Sequence, residues 1–278
     1  MNLEDFFREH PKAALAFSGG VDSAYLLYAA VKSGAQVRPY YVKTAFQPQF
    51  EYEDALRLTR ELEVEMVTIH LNVLEEPAIT ANPVNRCYYC KQKIFTAIQN
   101  AARADGFSLL LDGTNASDQV ADRPGMKALQ ELSVLSPLRL CGLTKAEIRR
   151  LSKEAGLFTH NKPAYACLAT RIPTGQPITA GDLERTEICE ASLMQMGFSG
   201  FRIRLLGDCA KLQLPASQLQ KLVEQREKVL SELKKYYSGV LLDLEVRDEQ
   251  CHSQPAGGNS KRQRQCGRCA FAVEAAAL

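Results

Sequence analysis

The chain has 278 residues, 46% of them hydrophobic, and a formal net charge of +2. This length holds one large domain or two ordinary ones, and the near-neutral charge gives no support for a large nucleic-acid or anionic-membrane surface. The first twelve residues carry Glu4, Asp5 and Glu9 without an apolar export core, and no apolar run approaches a membrane span. We therefore expect a cytoplasmic protein with neither a membrane nor a nucleic-acid partner.

The chain begins with a predicted amphipathic helix over 1–10 and a buried strand over 13–17, followed by a glycine turn and a helix over 24–32. The adjacent glycines let the backbone approach a ligand closely, and the first amides of the following helix point into the same space. The turn therefore predicts a phosphate cradle without the Walker lysine, since no G-x-x-x-x-G-K-[ST] occurs. Its candidate nucleotide-binding residues are Ser18, Gly19, Gly20, Asp22 and Ser23, and Asp22 is also a candidate for magnesium binding or catalysis.

Strands predicted over 36–42, 64–71 and 108–111 alternate with helices over 51–62 and 88–103. This β-α-β alternation predicts an α/β fold with a parallel, doubly wound sheet, in which Pro39 favours an edge position for its strand. Thr44 and Gly113 follow strands at the carboxyl edge, where such sheets bind ligands. Arg123 lies in the long loop that continues to residue 127, and loops of this length are often functional.

The second half predicts a short strand over 133–138 and a helix that starts at the capping box of Thr144 and Glu147. The segment 161–175 lacks periodicity, so we place a domain boundary there. A helix capped by Thr179 or Asp182, an antiparallel pair over 201–205 and 211–214, a helix over 217–236 and a strand over 240–244 then predict a small α+β domain. The expected division is a nucleotide-binding domain over 1–170, a substrate-binding domain over 171–246 and a mobile tail over 247–278.

Cysteine spacing indicates metal or sulfur chemistry rather than disulfides in a chain of this kind. Two residues separate Cys87 from Cys90, and Cys167 lies near the domain junction. The three thiolates could hold three irons of a [4Fe-4S] cluster, or together with His160 they could bind zinc, and spacing does not choose between these sites. A second zinc-like set lies in the tail, at Cys251, His252, Cys266 and Cys269.

Several segments together resemble one family of enzymes. Ser-Gly-Gly-x-Asp-Ser resembles the signature of the PP-loop ATP pyrophosphatases, and the whole series, in order from about residue 10 to 246, resembles the LarE family. The matching pieces are Ala-Phe-Ser-Gly-Gly-Val-Asp-Ser at 16–23, Cys-Tyr-Tyr-Cys-Lys at 87–91, Leu-Asp-Gly-Thr-Asn at 111–115, Asp-Arg-Pro-Gly at 122–125, Ala-Cys-Leu-Ala-Thr-Arg-Ile-Pro-Thr-Gly at 166–175 and Gly-Phe-Ser-Gly-Phe-Arg-Ile-Arg at 197–204.

The resemblance implies an ATP-dependent sulfurtransferase that builds the nickel-pincer cofactor of lactate racemase. The implied partner is a small mononucleotide, pyridinium-3,5-biscarboxylic acid mononucleotide, whose carboxylate is adenylated with release of pyrophosphate and then receives sulfur. The implied cofactors are ATP, Mg2+ and a [4Fe-4S] cluster. The sequence leaves open a homo-oligomer and the source of the sulfide.

The resemblance also implies residue roles. Cys167 matches the sulfur-donor cysteine, and with Cys87 and Cys90 it makes this chain similar to the three-cysteine, cluster-containing members. Arg202, Arg204 and Glu190 match residues that hold the substrate, whereas Gln213 departs from the family by standing where an acidic residue is usual. Independently of the family, Tyr88 and its neighbour Tyr89 fit either stacking on a planar substrate ring or core packing.

Two other functions compete with this interpretation. A PP-loop tRNA thiolase shares the ATP loop and the use of cysteine but needs an RNA-binding surface, which the near-neutral charge does not suggest. A non-catalytic sensor of ATP and an iron-sulfur cluster is the alternative from another class of protein. The intact Asp22 and Ser23 give no sign of a dead site.

Overall fold

The computed structural model describes residues 1–118 and 124–247. The helices are α1 (Leu3–Glu9), α2 (Val21–Lys32), α3 (Gln49–Glu61), α4 (Pro77–Thr80), α5 (Arg86–Ala104), α6 (Pro124–Glu131), α7 (Pro137–Leu140), α8 (Lys145–Glu154), α9 (Ala180–Gln195), α10 (Leu219–Glu224) and α11 (Arg226–Leu233). The strands are β1 (Lys12–Ala16), β2 (Gln36–Lys43), β3 (Val67–His70), β4 (Leu110–Leu111), β5 (Arg202–Leu206), β6 (Cys209–Gln213) and β7 (Gly239–Leu242). Within these ranges, no helix combines the length and the apolar character that a bilayer crossing requires.

The first sheet has the strand order β3-β2-β1-β4, and all neighbouring strands run parallel. Successive side chains of a strand point to opposite faces, so each face packs against its own helices. Ala13, Leu15 and Tyr41 belong to an apolar cluster with α1, α2 and α3. Ala14 and Tyr40 belong to a second cluster with α5 and α6 on the other face. The predicted doubly wound α/β fold is therefore confirmed.

The edge position suggested by Pro39 is wrong, because β2 lies between β1 and β3. The carbonyl of Tyr40 accepts a hydrogen bond from Phe17 N in the direction of β1, so the preceding Pro39 directs its nitrogen to the other side. On that side the pairing with β3 starts only at Tyr40. Proline is tolerated inside the sheet because its missing amide faces a position that the third strand has not yet reached.

Two predicted elements of the second half differ from the structure. The strand expected over 133–138 is reduced to one bridge between Leu111 and Leu135, because α7 begins at Pro137 and proline favours the first turn of a helix. The helix expected over 217–236 is divided into α10 and α11 at Gln225. The predicted antiparallel pair is confirmed as β5 and β6, and β7 adds to β6 in parallel.

A separate apolar core lies between the second sheet and α9, and it also includes side chains from the first half of the chain. Phe46, Val73 and Ile79 pack in this core with Ile203 and Leu212. The second half of the described chain is therefore anchored to the loops that follow the first sheet. The division at residue 170 stays a prediction, and the tail from 248 onward lies outside the described residues.

Candidate functional site

The loop between β1 and α2 forms a cradle at the carboxyl edge of the first sheet. Gly19 has a φ of +69°, and a Cβ there would lie 3.0 Å from Ala55 Cβ, so the position requires glycine. Ser18 Oγ and Ser23 Oγ are 3.0 Å apart, and Ser23 donates to the carbonyl of Gly20 at 3.2 Å. Gly20 caps α2 without a side-chain hydrogen bond, which leaves the first helical amides suited to an anion.

Asp22 lies in the first turn of α2. Its Oδ2 accepts from Lys145 Nζ at 2.5 Å, whereas its buried Oδ1 has no hydrogen-bond partner among the described residues. Burial raises the pKa of Asp22, and the Lys145 ammonium opposes that rise. A buried carboxylate oxygen without a donor fits a divalent cation, because Mg2+ is bound through oxygen atoms.

Two other predicted nucleotide-binding residues lie after neighbouring strands. A Cβ on Gly113 would meet Ser23 N at 2.9 Å, so glycine lets the segment after β4 pack closely against the loop. The hydroxyl of Thr44 donates to Gln47 Oε1 at 2.6 Å and accepts from Phe46 N at 3.0 Å, which engages it within its own turn. Arg123 lies outside the described residues.

Two lysines that the sequence did not single out lie against the loop. Lys162 is 11% exposed, donates to the carbonyl of Gly19 at 3.3 Å and pairs with Asp54 at 2.7 Å. Lys145 is the first residue of α8, and the capping box of Thr144 was the only sequence signal near it. These side chains bring positive charge to a loop without a Walker lysine.

The three predicted cluster ligands lie on two segments that meet. Cys87 and Cys90 lie in the first two turns of α5, and Cys167 precedes a 3-10 helix over Leu168–Arg171. Burial, with smaller contributions from the thiols of Cys167 and Cys87, raises the pKa of Cys90 to about 12. Burial also raises the pKa of Cys167, which the guanidinium of Arg86 opposes. The thiols of Cys87 and Cys167 therefore act on the pKa of Cys90, and that of Cys87 acts on the pKa of Cys167, but burial is the larger cause for both.

The chemistry of these donors fits an iron-sulfur cluster, since such clusters are held by cysteine thiolates. However, nowhere in 1–118 or 124–247 do three or more His, Cys, Asp or Glu side chains stand close enough together to hold a metal ion. His160, the fourth ligand of the zinc alternative, places its Nδ1 2.9 Å from the carbonyl of Leu157. The tail cysteines and His252 lie outside the described residues.

Arg202 and Arg204 lie on the same face of β5, as their spacing of two positions predicts. Arg204 donates to Gln213 Oε1 at 2.6 Å and to the carbonyl of Thr170 at 2.7 Å. No described residue accepts a hydrogen bond from the half-buried Arg202 guanidinium. Burial, followed by repulsion from other arginines (Arg247, Arg171 and Arg204), lowers the pKa of Arg202 to about 10. Such a position favours a phosphate or carboxylate, which would neutralise the clustered charge.

Gln213, the departure from the family pattern, is part of this arginine site. Besides accepting from Arg204, it donates through Nε2 to Asp243 Oδ2 at 2.7 Å. Lys211 also pairs with Asp243 at 2.8 Å. The Gln213 amide therefore connects Arg204 to the carboxylate of Asp243, which lies after β7. Asp243 thus supplies a carboxylate close to the position where an acidic residue was expected.

Two cavities adjoin these groups. One, of about 570 Å³, is lined by Arg202, Arg247, Lys162 and the edge-to-face pair Phe50 and Tyr165, whose ring centres are 5.0 Å apart. The other, of about 660 Å³, is lined by Ser18 of the nucleotide loop and by Cys167. The second cavity joins the predicted nucleotide site to the predicted sulfur donor.

Glu190 and Tyr88 lie apart from these openings. Glu190 is 1% exposed, and its carboxylate accepts from Arg171 at 2.8 and 3.0 Å, from Ile203 N at 3.0 Å and from the Tyr165 hydroxyl. Glu190 therefore holds Arg171 and the backbone of β5, the strand that carries Arg202 and Arg204. Tyr88 donates to Glu131 at 2.8 Å and lines neither cavity.

No family model matches the chain. It is 35% identical over 226 residues to an uncharacterized protein of Synechocystis sp., covering 80% of this chain and 84% of that protein. It is 28% identical over 236 residues to the pyridinium-3,5-bisthiocarboxylic acid mononucleotide synthase of Lactiplantibacillus plantarum, covering 84% and 86%. A match at 27% identity to the tRNA-specific 2-thiouridylase MnmA of a Thermotoga species covers 54% of each chain. The first two similarities cover four fifths or more of this chain, whereas the thiouridylase similarity covers about half of it.

Proposed function

We propose that this chain, which belongs to the LarE family of PP-loop ATP-dependent sulfurtransferases, adenylates a carboxylate of pyridinium-3,5-biscarboxylic acid mononucleotide and then replaces a carboxylate oxygen with sulfur. The observation that carries the substrate assignment is the Arg202 guanidinium, which has no hydrogen-bond acceptor among the described residues and lies beside an aromatic cleft. A mononucleotide offers a phosphate and carboxylates for this cation and a planar ring for the aromatic wall. The thiocarboxylate would serve nickel-pincer cofactor synthesis and so the maturation of lactate racemase.

In the first step a substrate carboxylate oxygen attacks the α-phosphorus of ATP, and the bond to pyrophosphate breaks. The uncapped amides of α2 and the ammonium groups of Lys145 and Lys162 would stabilise the departing negative charge. Asp22 would hold Mg2+, which neutralises phosphate oxygens when bound. The resulting acyl-adenylate has AMP as its leaving group, which makes the carbonyl carbon open to a sulfur nucleophile.

In the second step sulfur displaces AMP near Cys167. Cys87, Cys90 and Cys167 would hold a [4Fe-4S] cluster, which would supply the sulfide for this step. Ser18 and Cys167 line one cavity, and this supports transfer directly beside the site of adenylation. Arg202 would fix the mononucleotide by its anionic groups, since the orientation of the carbonyl decides the rate of attack.

The decisive experiment is anaerobic purification with iron and sulfide analysis, followed by intact mass before and after turnover. About four irons and an unchanged polypeptide mass would support sulfur delivery through the cluster. Loss of one sulfur at Cys167 would instead show that this cysteine is consumed. The matched controls are Cys167→Ser and Cys141→Ser, because Cys141 is a free cysteine outside the three predicted cluster ligands. Absence of pyrophosphate release that depends on the mononucleotide would favour the sensor.

The partial similarity to a tRNA thiouridylase makes tRNA the competing acceptor. The same assay, with tRNA in place of the mononucleotide, separates the two enzymes. We expect pyrophosphate release with the mononucleotide and none with tRNA. Tight binding of tRNA that weakens steeply with salt, together with tRNA-dependent pyrophosphate release, would reverse the assignment.

A further inference from the structure

The cavity between the nucleotide loop and Cys167 contains one carboxyl group, that of Glu51 on α3. Much of the surrounding wall is apolar, including Phe17, Val42 and Phe95. Among the described residues that line this cavity, no other side chain is acidic. The backbone of Glu51 also lies against the loop, since its carbonyl would be 3.2 Å from a Cβ on Gly19. Glu51 therefore lines the same cavity as Ser18 of the β1–α2 loop and Cys167.

Glu51 differs from the neighbouring acidic residues of α3 in lacking a polar partner. Asp54 pairs with Lys162 at 2.7 Å, Glu53 accepts from Gln49 at 3.3 Å and Glu61 pairs with Arg57 at 2.8 Å. No hydrogen bond or ion pair joins the Glu51 carboxyl to any residue in the described part of the chain. An unpartnered carboxylate in a largely apolar wall destabilises the fold, because the charged form loses hydration without gaining a hydrogen bond or a counter-ion.

We propose that Glu51 is the base that accepts the proton of the attacking sulfur, a role that rests on the proposed function. The sulfur of an S–H group, either the Cys167 thiol or hydrosulfide, attacks the carbonyl carbon of the acyl-adenylate. A C–S bond forms, the C–O bond to AMP breaks, and AMP leaves with that electron pair. The S–H proton passes to the Glu51 carboxylate directly or through one water, and no atom is oxidised or reduced. With hydrosulfide this step gives the thiocarboxylate itself. With the Cys167 thiol it gives a Cys167 thioester, and the thiocarboxylate is released when the Cβ–S bond breaks with its electron pair on sulfur and the Cα proton passes to solvent, which leaves dehydroalanine.

The electrostatic surroundings support this role. Burial raises the pKa of Glu51 to about 7, with Lys162, Arg171 and Lys43 lowering it and Asp54 raising it. A base is most efficient when its pKa lies near the working pH, so Glu51 is suited to accept a proton under neutral conditions. The titratable and charged groups that act on it are Lys43 and Tyr41 of β2, Asp54 of α3, Lys162 and Tyr165 before Cys167, and Arg171 of the following 3-10 helix.

The test compares Glu51→Gln with Glu53→Gln, an exposed acidic residue of the same helix. Pyrophosphate release and thiocarboxylate formation are followed separately in single-turnover reactions from pH 5.5 to 8.5, limits that span about the working range of a base with this pKa. We expect Glu51→Gln to slow sulfur transfer about 10²- to 10⁴-fold, far more than it slows pyrophosphate release. The wild-type and Glu53→Gln rates should fall below about pH 7, and Glu51→Gln should lose this pH dependence.

Glu51→Asp keeps a carboxyl group and is the second variant, which separates the loss of the carboxyl group from a change in packing. It should retain the fall in rate at acidic pH and recover part of the transfer rate. Slower sulfur transfer in Glu51→Gln supports the base role for either source of the S–H group. A change in intact mass identifies Cys167 as that source, whereas a rate that depends on added hydrosulfide identifies hydrosulfide. Transfer within about threefold of wild type, or an unchanged pH profile, would overturn it. A wild-type protein without pyrophosphate release would instead overturn the proposed function, and the base role with it.

Discussion

Replacing Glu190 with glutamine should destabilise the fold much more than it weakens substrate binding. The side chains of Arg171 and Glu190 are 0% and 2% exposed, and two hydrogen bonds of 2.8 and 3.0 Å join them. Although burial alone would lower the pKa of Arg171, Glu190 raises it, so the guanidinium keeps its charge. Glutamine would leave that charge without a counter-ion, which for buried pairs costs about 3–5 kcal/mol of unfolding free energy.

The assay is thermal unfolding, with urea unfolding as the second measurement. For a chain of this size each kcal/mol lowers the midpoint by about 2–4 °C, so Glu190→Gln should lose about 6–20 °C. The double variant Arg171→Met, Glu190→Met should recover most of this loss, because it removes both charges. Glu154→Gln breaks the exposed pair with Arg150 and is the matched control, with a midpoint within about 2 °C of wild type.

One result would refute the reasoning about Glu190. If Glu190→Gln unfolds within about 2 °C of wild type and the KM for the mononucleotide rises, the carboxylate contacts the substrate rather than supporting Arg171. A large loss of stability with an unchanged KM in the folded fraction would confirm the supporting role.

Three further predictions address the loop, the arginine site and the cavity carboxyl group. Gly113→Ala should displace the nucleotide loop through the 2.9 Å approach to Ser23 N and lower pyrophosphate release about 10²-fold, measured in the steady state. Arg202→Ala should raise the KM for the mononucleotide about 10- to 100-fold with little change in kcat, because a charge-assisted contact to an anionic group is lost. Glu51→Gln should stabilise the fold at pH 8 by up to about 3 kcal/mol, because the pKa of Glu51 is raised to about 7 and its ionised form is disfavoured when buried. That gain should fade as pH falls from 7 towards 4.5, where the native carboxyl group is protonated, and urea unfolding at the two pH values measures it.

Local sequence was sufficient for the parts of this protein that depend on local geometry. The glycine turn requires a positive φ at Gly19 and uncapped helical amides, and both are properties of a few consecutive residues. The capping box of Thr144 follows from local helix geometry in the same way. The shared face of Arg202 and Arg204 follows from the period of a strand. The alternation of strands and helices along the sequence likewise predicts the doubly wound sheet without information on tertiary contacts.

Tertiary structure alone decided which charged side chains belong to the site. Lys145 and Lys162 reach the nucleotide loop across 123 and 143 positions of sequence, and no local pattern distinguishes them from surface lysines. The same holds for Glu51, which has no polar partner in 1–118 or 124–247 although the other acidic residues of its helix have one. It also holds for Glu190, which packing places against Arg171. Propensity and periodicity determine where helices and strands begin and end, whereas burial and charge pairing arise only when distant segments pack together.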